Sequence, residues 1–264
     1  MKTIILAAGE GKRLRPLTEK VPKCMVDLFG KNLLEHQIST YRKAGISDIT
    51  IVRGYKSDSI NILGVKYYEN KKYDTTNMVE TLFCAENELN DEVIVSYGDI
   101  IFEKSILEKL LKSNEDFAVV IDKEWKKYWS ARFEDPISDL ESLKLDGNGY
   151  IKEIGQKVSD INQIEGQYIG LMKFQNKGLK FMKKFYQQLK NESREGSNPL
   201  NPNLPFEKSF MTDFLQALIR AGCKLKSVQV SNGWLELDTI DDYNTYNNLY
   251  KNKKLSQFID LGML

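Results

Sequence analysis

The chain has 264 residues, 41% hydrophobic and 28% charged, and its 38 lysines and arginines against 37 acidic residues leave a formal net charge of +1. That length suits one large domain, or a domain with a smaller lobe, and the composition is that of a globular protein able to bury a sizeable core. A near-zero net charge gives no basic field for nucleic acid, and no apolar run has the length of a membrane span or the pattern of a signal peptide, so the expectation is a cytoplasmic protein without membrane association.

The opening stretch carries most of the signal. Ile4 to Ala7 is a short apolar run without alternation, which predicts a strand buried on both faces. It leads directly into Gly9 and Gly11. Glycines at such a strand end let the backbone come close to a ligand, and their N–H groups suit an anion. Lys12, Arg13, Arg15 and Lys23 add the charge that a polyphosphate needs. The spacing fits neither the dinucleotide fingerprint, because Leu14 stands where a third glycine is required, nor the P-loop, which needs a Gly-Lys-Ser/Thr. The stretch reads as a nucleoside triphosphate site, although a Gly-x-Gly turn also ends many ordinary buried strands.

Leu33 to Ala44 has helical spacing and closes at Gly45. Its His36, the sole histidine, reads as structural, which argues against histidine bases and multi-imidazole zinc sites. Ile49 to Val52 predicts a second strand ending at Gly54-Tyr55, and Val65 to Glu69 a third. Strand, helix and strand make a βαβ unit, and ligands of open α/β sheets collect at those strand ends. Tyr73 to Asn77 predicts a loop and cap before a helix from Met78 to Asn87. Val93 to Tyr97 is another buried strand, ending at Gly98-Asp99, and Phe117 to Asp122 one more. The alternation predicts an α/β fold, a Rossmann-like, mostly parallel sheet flanked by helices.

From Trp125 the character changes. Asp146-Gly147-Asn148-Gly149 is a hairpin signal, and it predicts a small antiparallel β insertion. Residues from roughly 125 to 171 would then form an acceptor-binding lobe within a single domain spanning residues 1–264. Phe181 to Leu189 is helical, Asn198 to Pro205 an irregular loop, and Thr212 to Gly222 a helix with Thr212 as its N-cap. Val228 to Val230 is strand-like. In the segment after it, Trp234, Glu236 and Asp238 share one face. Cys24, Cys84 and Cys223 are far apart and odd in number, so reduced, buried thiols are expected rather than a disulfide or metal pattern.

Asp99 directly follows a buried strand and a glycine at the sheet edge that carries the opening loop. Asp238 comes from near the C-terminal end. A carboxylate on each side of a triphosphate is what magnesium takes. On spacing alone, helix capping by Asp99 and a surface turn at Asp238 are the favoured readings.

Ile5-Leu6-Ala7-Ala8-Gly9-Glu10-Gly11-Lys12-Arg13-Leu14, followed by Pro22-Lys23, resembles the signature of the nucleotidyltransferases that activate sugar 1-phosphates and phosphocholine. Gly98-Asp99 and Trp234-Leu235-Glu236-Leu237-Asp238-Thr239 resemble that family's magnesium positions. The resemblance covers nearly the whole chain. Within the family the chain is most similar to small cytidylyltransferases acting on phosphocholine, 2-aminoethylphosphonate and phosphoglutamine, the last in phosphoramidate decoration of bacterial capsules. This resemblance implies CTP as donor, Mg2+ on Asp99 and Asp238, and catalytic roles for Lys23, Arg13, Asp99 and Asp238. It implies nucleotide contacts from Leu6, Ala7, Ala8, Gly9, Glu10, Gly11, Lys12 and Arg13, together with Gly54, Tyr55, Tyr97 and Gly98. Lys12 reads equally well as a solvated loop lysine, and whether Glu236 joins the metal shell stays open.

The acceptor candidates are Asn77, Arg132, Asp139, Glu141, Glu165, Gln167 and Tyr168. A cationic acceptor wants acids or aromatic faces, which Asp139, Glu141, Glu165, Tyr168, Trp125 and Trp129 could supply, and an acceptor carboxylate wants the Arg132 guanidinium. A solvated strand face for Asp139 and Glu141 and packing of the insertion for Trp125 and Trp129 are equally open. The resulting expectation is transfer of CMP to a small phosphorylated amine, amide or phosphonate, phosphoglutamine first, with release of pyrophosphate. An acceptor oxygen already ionised near neutral pH needs no base, only alignment and charge neutralisation. A sugar 1-phosphate nucleotidyltransferase and an inactive nucleotide-binding sensor are the alternatives. The choice of CTP rests on resemblance alone, and a homo-oligomer stays open.

Overall fold

A computed structural model describes residues 1–133, 135–158 and 160–264. The strands are β1 (Lys2–Ala7), β2 (Asp27–Leu28), β3 (Lys31–Asn32), β4 (Asp48–Arg53), β5 (Lys66–Glu69), β6 (Glu92–Tyr97), β7 (Ile100–Phe102), β8 (Phe117–Asp122), β9 (Glu141–Leu145), β10 (Tyr150–Lys157), β11 (Gln167–Gln175), β12 (Leu225–Val230) and β13 (Trp234–Glu236). The helices are α1 (Leu33–Lys43), α2 (Met78–Cys84), α3 (Lys104–Leu111), α4 (Trp125–Arg132), α5 (Asn176–Glu195), α6 (Met211–Arg220) and α7 (Ile240–Lys251).

Nine strands form one mixed sheet in the order β5-β4-β1-β6-β11-β8-β12-β10-β9. β1 lies parallel to both β4 and β6, so Ala7, Arg53 and Tyr97 end at the same edge. β11 runs antiparallel to β6 and β8, and β12 returns parallel to β8. Apolar clusters cover both faces. One gathers Ile5, Leu34, Ile38, Tyr41 and Leu107, the other Ile4, Val52, Leu82, Val95 and Phe214. Burial from both sides explains why Ile4, Ile5 and Leu6 show no alternation.

The expected α/β architecture is present, with two refinements. The β9–β10 hairpin extends the edge of the main sheet, where β10 pairs with β12. The segment after residue 124 begins with helix α4, on which Trp125, Tyr128, Trp129 and Arg132 are buried together. Helix α6 begins two residues earlier than a Thr212 N-cap requires and is capped differently. The Phe210 N–H donates to the Asp213 carboxylate at 2.8 Å, while Thr212 lies buried inside the helix. Helix α2 stops at Cys84, short of Asn87, and gives way to a short 3-10 turn.

A separate ribbon matters most for the site. β13 pairs antiparallel with β7, Glu236 opposite Ile100 and Trp234 opposite Phe102. The Leu237 N–H then donates to the Asp99 carbonyl at 2.9 Å. His36 is buried with Nε2 2.8 Å from the Leu28 carbonyl oxygen, a structural role as expected. Cys24 is buried, whereas Cys84 and Cys223 are half-buried, and all three are free thiols. No described helix is long and apolar enough to cross a membrane.

Candidate active site

The C-terminal ends of β1 and β6 and the loop before α2 border an open cleft lined by Leu6, Ala7, Ala8, Gly9, Tyr73, Asn77, Tyr97 and Gly98, with Lys23 and Asp99 at its end. Two glycines make this possible. Gly98 donates its N–H to the Leu6 carbonyl at 2.9 Å, and a Cβ there would stand 2.8 Å from that oxygen and 3.0 Å from the Ala7 Cα. Gly11 has φ +69°, in the left-handed region, and a Cβ on it would stand 2.8 Å from the Lys23 Cβ. The loop thus folds tightly onto the stem of Lys23, and the Thr18 hydroxyl fixes it by donating to the Gly11 carbonyl at 2.7 Å. On the other side of β1, Gly54 packs against Ala8 and Tyr73, and the Tyr55 N–H donates to the Ala8 carbonyl at 3.1 Å.

Lys23 stands at the centre. Its Nζ lies 2.6 Å from Asp99 Oδ2 and 2.7 Å from Asp238 Oδ1. Arg13 pairs with the other oxygen of Asp238. Burial opposes the Lys23 charge, but Asp99, Asp238 and Glu236 outweigh it and hold its pKa above the ordinary lysine value. Burial likewise works against the Asp238 carboxylate, and Lys23, Arg13 and Arg132 more than compensate, holding its pKa below the usual range. Glu236 goes the other way. Burial and the neighbouring Asp99 and Asp238 push it up against the pull of Arg132.

Asp99 Oδ1 is buried and takes no hydrogen bond from any described group. A buried carboxylate oxygen without a partner, beside a second carboxylate and an open cleft, fits a divalent cation. Among the described residues no group of three or more histidines, cysteines or acids could hold a metal by itself. Two carboxylates, Asp99 and Asp238, are within the number magnesium takes, since it completes its shell with phosphate oxygens and water.

Other loop residues are more exposed. Glu10 pairs with Lys12 at 3.4 Å and with Arg15 at 2.5 Å, which places both cations on the rim. Asn77 lines the cleft and caps α2, its side-chain oxygen accepting from the Met78 N–H at 2.8 Å. Tyr97 and Tyr168 meet edge to face with ring centroids 5.6 Å apart. Glu141 accepts from the Thr212 hydroxyl at 3.4 Å, and burial pushes its carboxyl up to about 7. Asp139 accepts from the Trp129 indole N–H at 3.3 Å, and burial raises its pKa, opposed by Arg132.

Several acceptor candidates sit elsewhere than expected. Arg132 is committed: its guanidinium has no exposed surface and binds Asp242 and Glu236. Gln167 is buried and donates to the Glu141 carbonyl at 2.7 Å. Glu165 is exposed on the hairpin side, where its carboxylate accepts from the Leu145 N–H at 2.7 Å. Trp125 and Trp129 are buried, Trp129 packing against Tyr128 and Trp234, so neither offers a face to a ligand. The sequence reading passed over Tyr73 and Thr76 in the cleft lining, and Asp242 behind Asp238. Thr239-Ile240-Asp241-Asp242 has the spacing of a helix-start capping box, a signal that could have marked Asp242 as an anchor.

Residues 3–157, more than half of the chain, match the MobA-like NTP transferase domain. The chain belongs to this nucleotidyltransferase family. A CTP:phosphoglutamine cytidylyltransferase of Campylobacter jejuni is 41% identical over 253 residues, covering 92% of this chain and 97% of the relative. A choline-phosphate cytidylyltransferase of Streptococcus pneumoniae is 37% identical over 117 residues, 43% of this chain and 51% of the relative. The solved structure of a CTP:phosphocholine cytidylyltransferase from Streptococcus pneumoniae superposes with a TM-score of 0.71 at 21% identity, covering 94% of this chain and 98% of that one. The inositol-1-phosphate CTP transferase of T. maritima gives 0.69 at 21% identity, covering 98% and 97%. Both structures show the same fold. The chain is thus a nucleotidyltransferase with cytidylyltransferases among its relatives.

Proposed function

We propose that this nucleotidyltransferase is a magnesium-dependent cytidylyltransferase that moves CMP from CTP to a small phosphorylated amide, phosphoglutamine first, and releases pyrophosphate. The 41% identity to a phosphoglutamine enzyme along nearly the full length of both chains carries this reading. 2-Aminoethylphosphonate and phosphocholine are the next acceptors in order. The product would serve phosphoramidate decoration of a capsule, and the reaction would run in the cytoplasm, where CTP is available.

In this reading the Gly9–Gly11 backbone cradles the triphosphate, Arg13 and Lys12 face its outer phosphates, and Lys23 faces the α-phosphate and the acceptor phosphate. The base lies in the cleft against Leu6, Ala7 and Ala8, with Tyr97 and Gly98 opposite. An ionised acceptor oxygen attacks the α-phosphorus in line, forming one P–O bond as the bond to pyrophosphate breaks. Asp99 and Asp238 would hold the magnesium, which would supply neutralisation of the phosphate charge. The chain's own contribution is alignment and fixed positive charge, worth most in a site closed to water. The chain acts as one domain, with residues 125–171 supplying an acceptor wall through Asp139, Glu141 and Tyr168, and with Asn77 facing it.

A pyrophosphate-release screen crossing four nucleoside triphosphates with phosphoglutamine, 2-aminoethylphosphonate, phosphocholine and several sugar 1-phosphates tests this. The expected result is release from CTP with phosphoglutamine. Release only from UTP, TTP or GTP with a sugar phosphate would overturn the acceptor and the base, and silence from every pair would overturn the activity.

A further inference from the structure

We propose that Arg132 is a positioning residue for the Asp238 carboxylate, acting through Asp242, and that it does not bind the acceptor. The inference rests on the metal-dependent cytidylyltransferase reading above. The Arg132 guanidinium donates through Nε to Asp242 Oδ1 at 2.9 Å, through Nη2 to Asp242 Oδ2 at 3.2 Å and through Nη1 to Glu236 Oε2 at 2.8 Å. The side chains of Arg132 and Asp242 have no exposed surface. Asp242 Oδ2 also accepts the backbone N–H of Asp238 at 3.0 Å and of Thr239 at 2.9 Å. One buried oxygen therefore joins the guanidinium to the main chain of a metal-site carboxylate.

The surroundings make this fixed. Tyr128, Trp129 and Phe133 lie against the guanidinium with ring centroids 5.2, 5.6 and 4.9 Å away. The Tyr128 hydroxyl accepts the Glu236 N–H at 2.7 Å, and the Tyr246 hydroxyl donates to the Glu236 carbonyl at 2.7 Å. Both main-chain groups of Glu236 are thus held from the same side that holds Asp238. A bidentate, buried arginine sets distance and direction together, which a flexible lysine does not. Removing it leaves Glu236 and Asp242 without their cation directly behind Asp99 and Asp238. The carboxylate pair is then free to spread, and ligating carboxylates that lose their supporting partners hold metal about 10- to 100-fold less well.

Arg132→Met and Asp242→Asn test the assignment, with Arg132→Lys as the conservative variant. Mn2+ affinity is titrated in the presence of CTP without acceptor, so no turnover is needed, and kcat and acceptor KM are measured separately. Arg132→Met should weaken Mn2+ binding and lower kcat by about 10- to 100-fold, with acceptor KM changed by less than about 3-fold and Arg132→Lys recovering part of the loss. A raised acceptor KM with parental Mn2+ affinity would overturn the proposal in favour of direct acceptor contact. If Arg132→Met does not fold, Asp242→Asn decides. Asparagine keeps the shape and one acceptor oxygen of the side chain; with a parental circular dichroism spectrum, Asp242→Asn should bind Mn2+ more weakly, and parental Mn2+ affinity and kcat in it would overturn the proposal. A parent protein that turns over no acceptor overturns the activity instead, while the Mn2+ titration with CTP still reports on Arg132.

Discussion

At the scale of single residues, the site is built from a few charges whose partners lie far away in sequence. Lys23 meets Asp99 and Asp238 within 2.7 Å, although 76 and 215 positions separate them. Lys23 was legible as one of the cations of the opening stretch, whereas spacing alone left Asp99 a helix cap and Asp238 a surface turn, and the resemblance, not local pattern, singled those two out. Arg132 was offered to the acceptor, and Trp125 and Trp129 were left open between ligand contact and packing, for a specific reason. With Tyr128 they stand at i, i+3, i+4 and i+7, the spacing of one buried helix face, while their chemistry invited a ligand. Asp99→Ala should lower turnover by at least about 100-fold, as expected for loss of a preorganised charge, while circular dichroism and thermal melting show a folded protein. Normal activity in that variant would refute the metal assignment.

At the scale of elements, the β1–β6 pair and the β7–β13 ribbon place one carboxylate each. Gly98 joins them, since it ends β6 against β1 and directly precedes Asp99 and β7. From behind, the buried Gln37 of α1 donates to the carbonyls of Tyr97 and Ile100, both at 2.8 Å, so the turn that carries Asp99 is gripped on two sides. Gly98→Ala would drive a Cβ into the Leu6 carbonyl and the Ala7 Cα, backbone atoms that have nowhere to go. The expected cost is about 1–3 kcal/mol of stability from overpacking. Turnover should fall by up to about 100-fold, because misplacement of about an ångström suffices for that. A thermal melt and steady-state kinetics check both, and unchanged kcat would show that the turn does not aim Asp99. The pairing of β13 with β7 was not legible, because three-residue strands carry almost no pattern and their register depends on contacts made across the whole chain.

On the scale of the whole molecule, the parallel core around β1 followed from apolar runs and glycines, whereas the far half of the sheet did not. β11 enters antiparallel between β6 and β8, and the β9–β10 hairpin joins the sheet edge, choices made by long-range packing. Burial of acids in that half has a global consequence. Glu141 keeps its proton up to about 7 when folded, against an ordinary value of 4.5. The folded state then binds more protons than the unfolded chain between those values, so this residue's contribution to stability falls as pH rises through that window. Glu141→Gln should be more stable than the parent at pH 8, by about 1–2 kcal/mol after allowance for partial solvent contact, and equal to it near pH 4. Denaturant melts at both pH values measure this, and a constant difference across them would remove Glu141 as the source.

The Lys23 bridge means that the free enzyme carries its own counterions. With an ammonium between two carboxylates and Arg13 on one of them, both Asp238 oxygens and Asp99 Oδ2 are already paired, and Asp99 Oδ1 alone of the four is left without a partner. Were a divalent cation and a nucleoside triphosphate to bind here, phosphate oxygens would have to take over Lys23 and Arg13 before Asp99 and Asp238 could hold the cation. Calorimetry should accordingly find Mn2+ binding to the free protein at least about 10-fold weaker than to the protein with CTP, a coupling of the usual allosteric size. Lys23→Met should narrow that gap by strengthening binding without nucleotide. Equal Mn2+ affinities with and without CTP in the parent would show that the internal ion pairs set no order of entry.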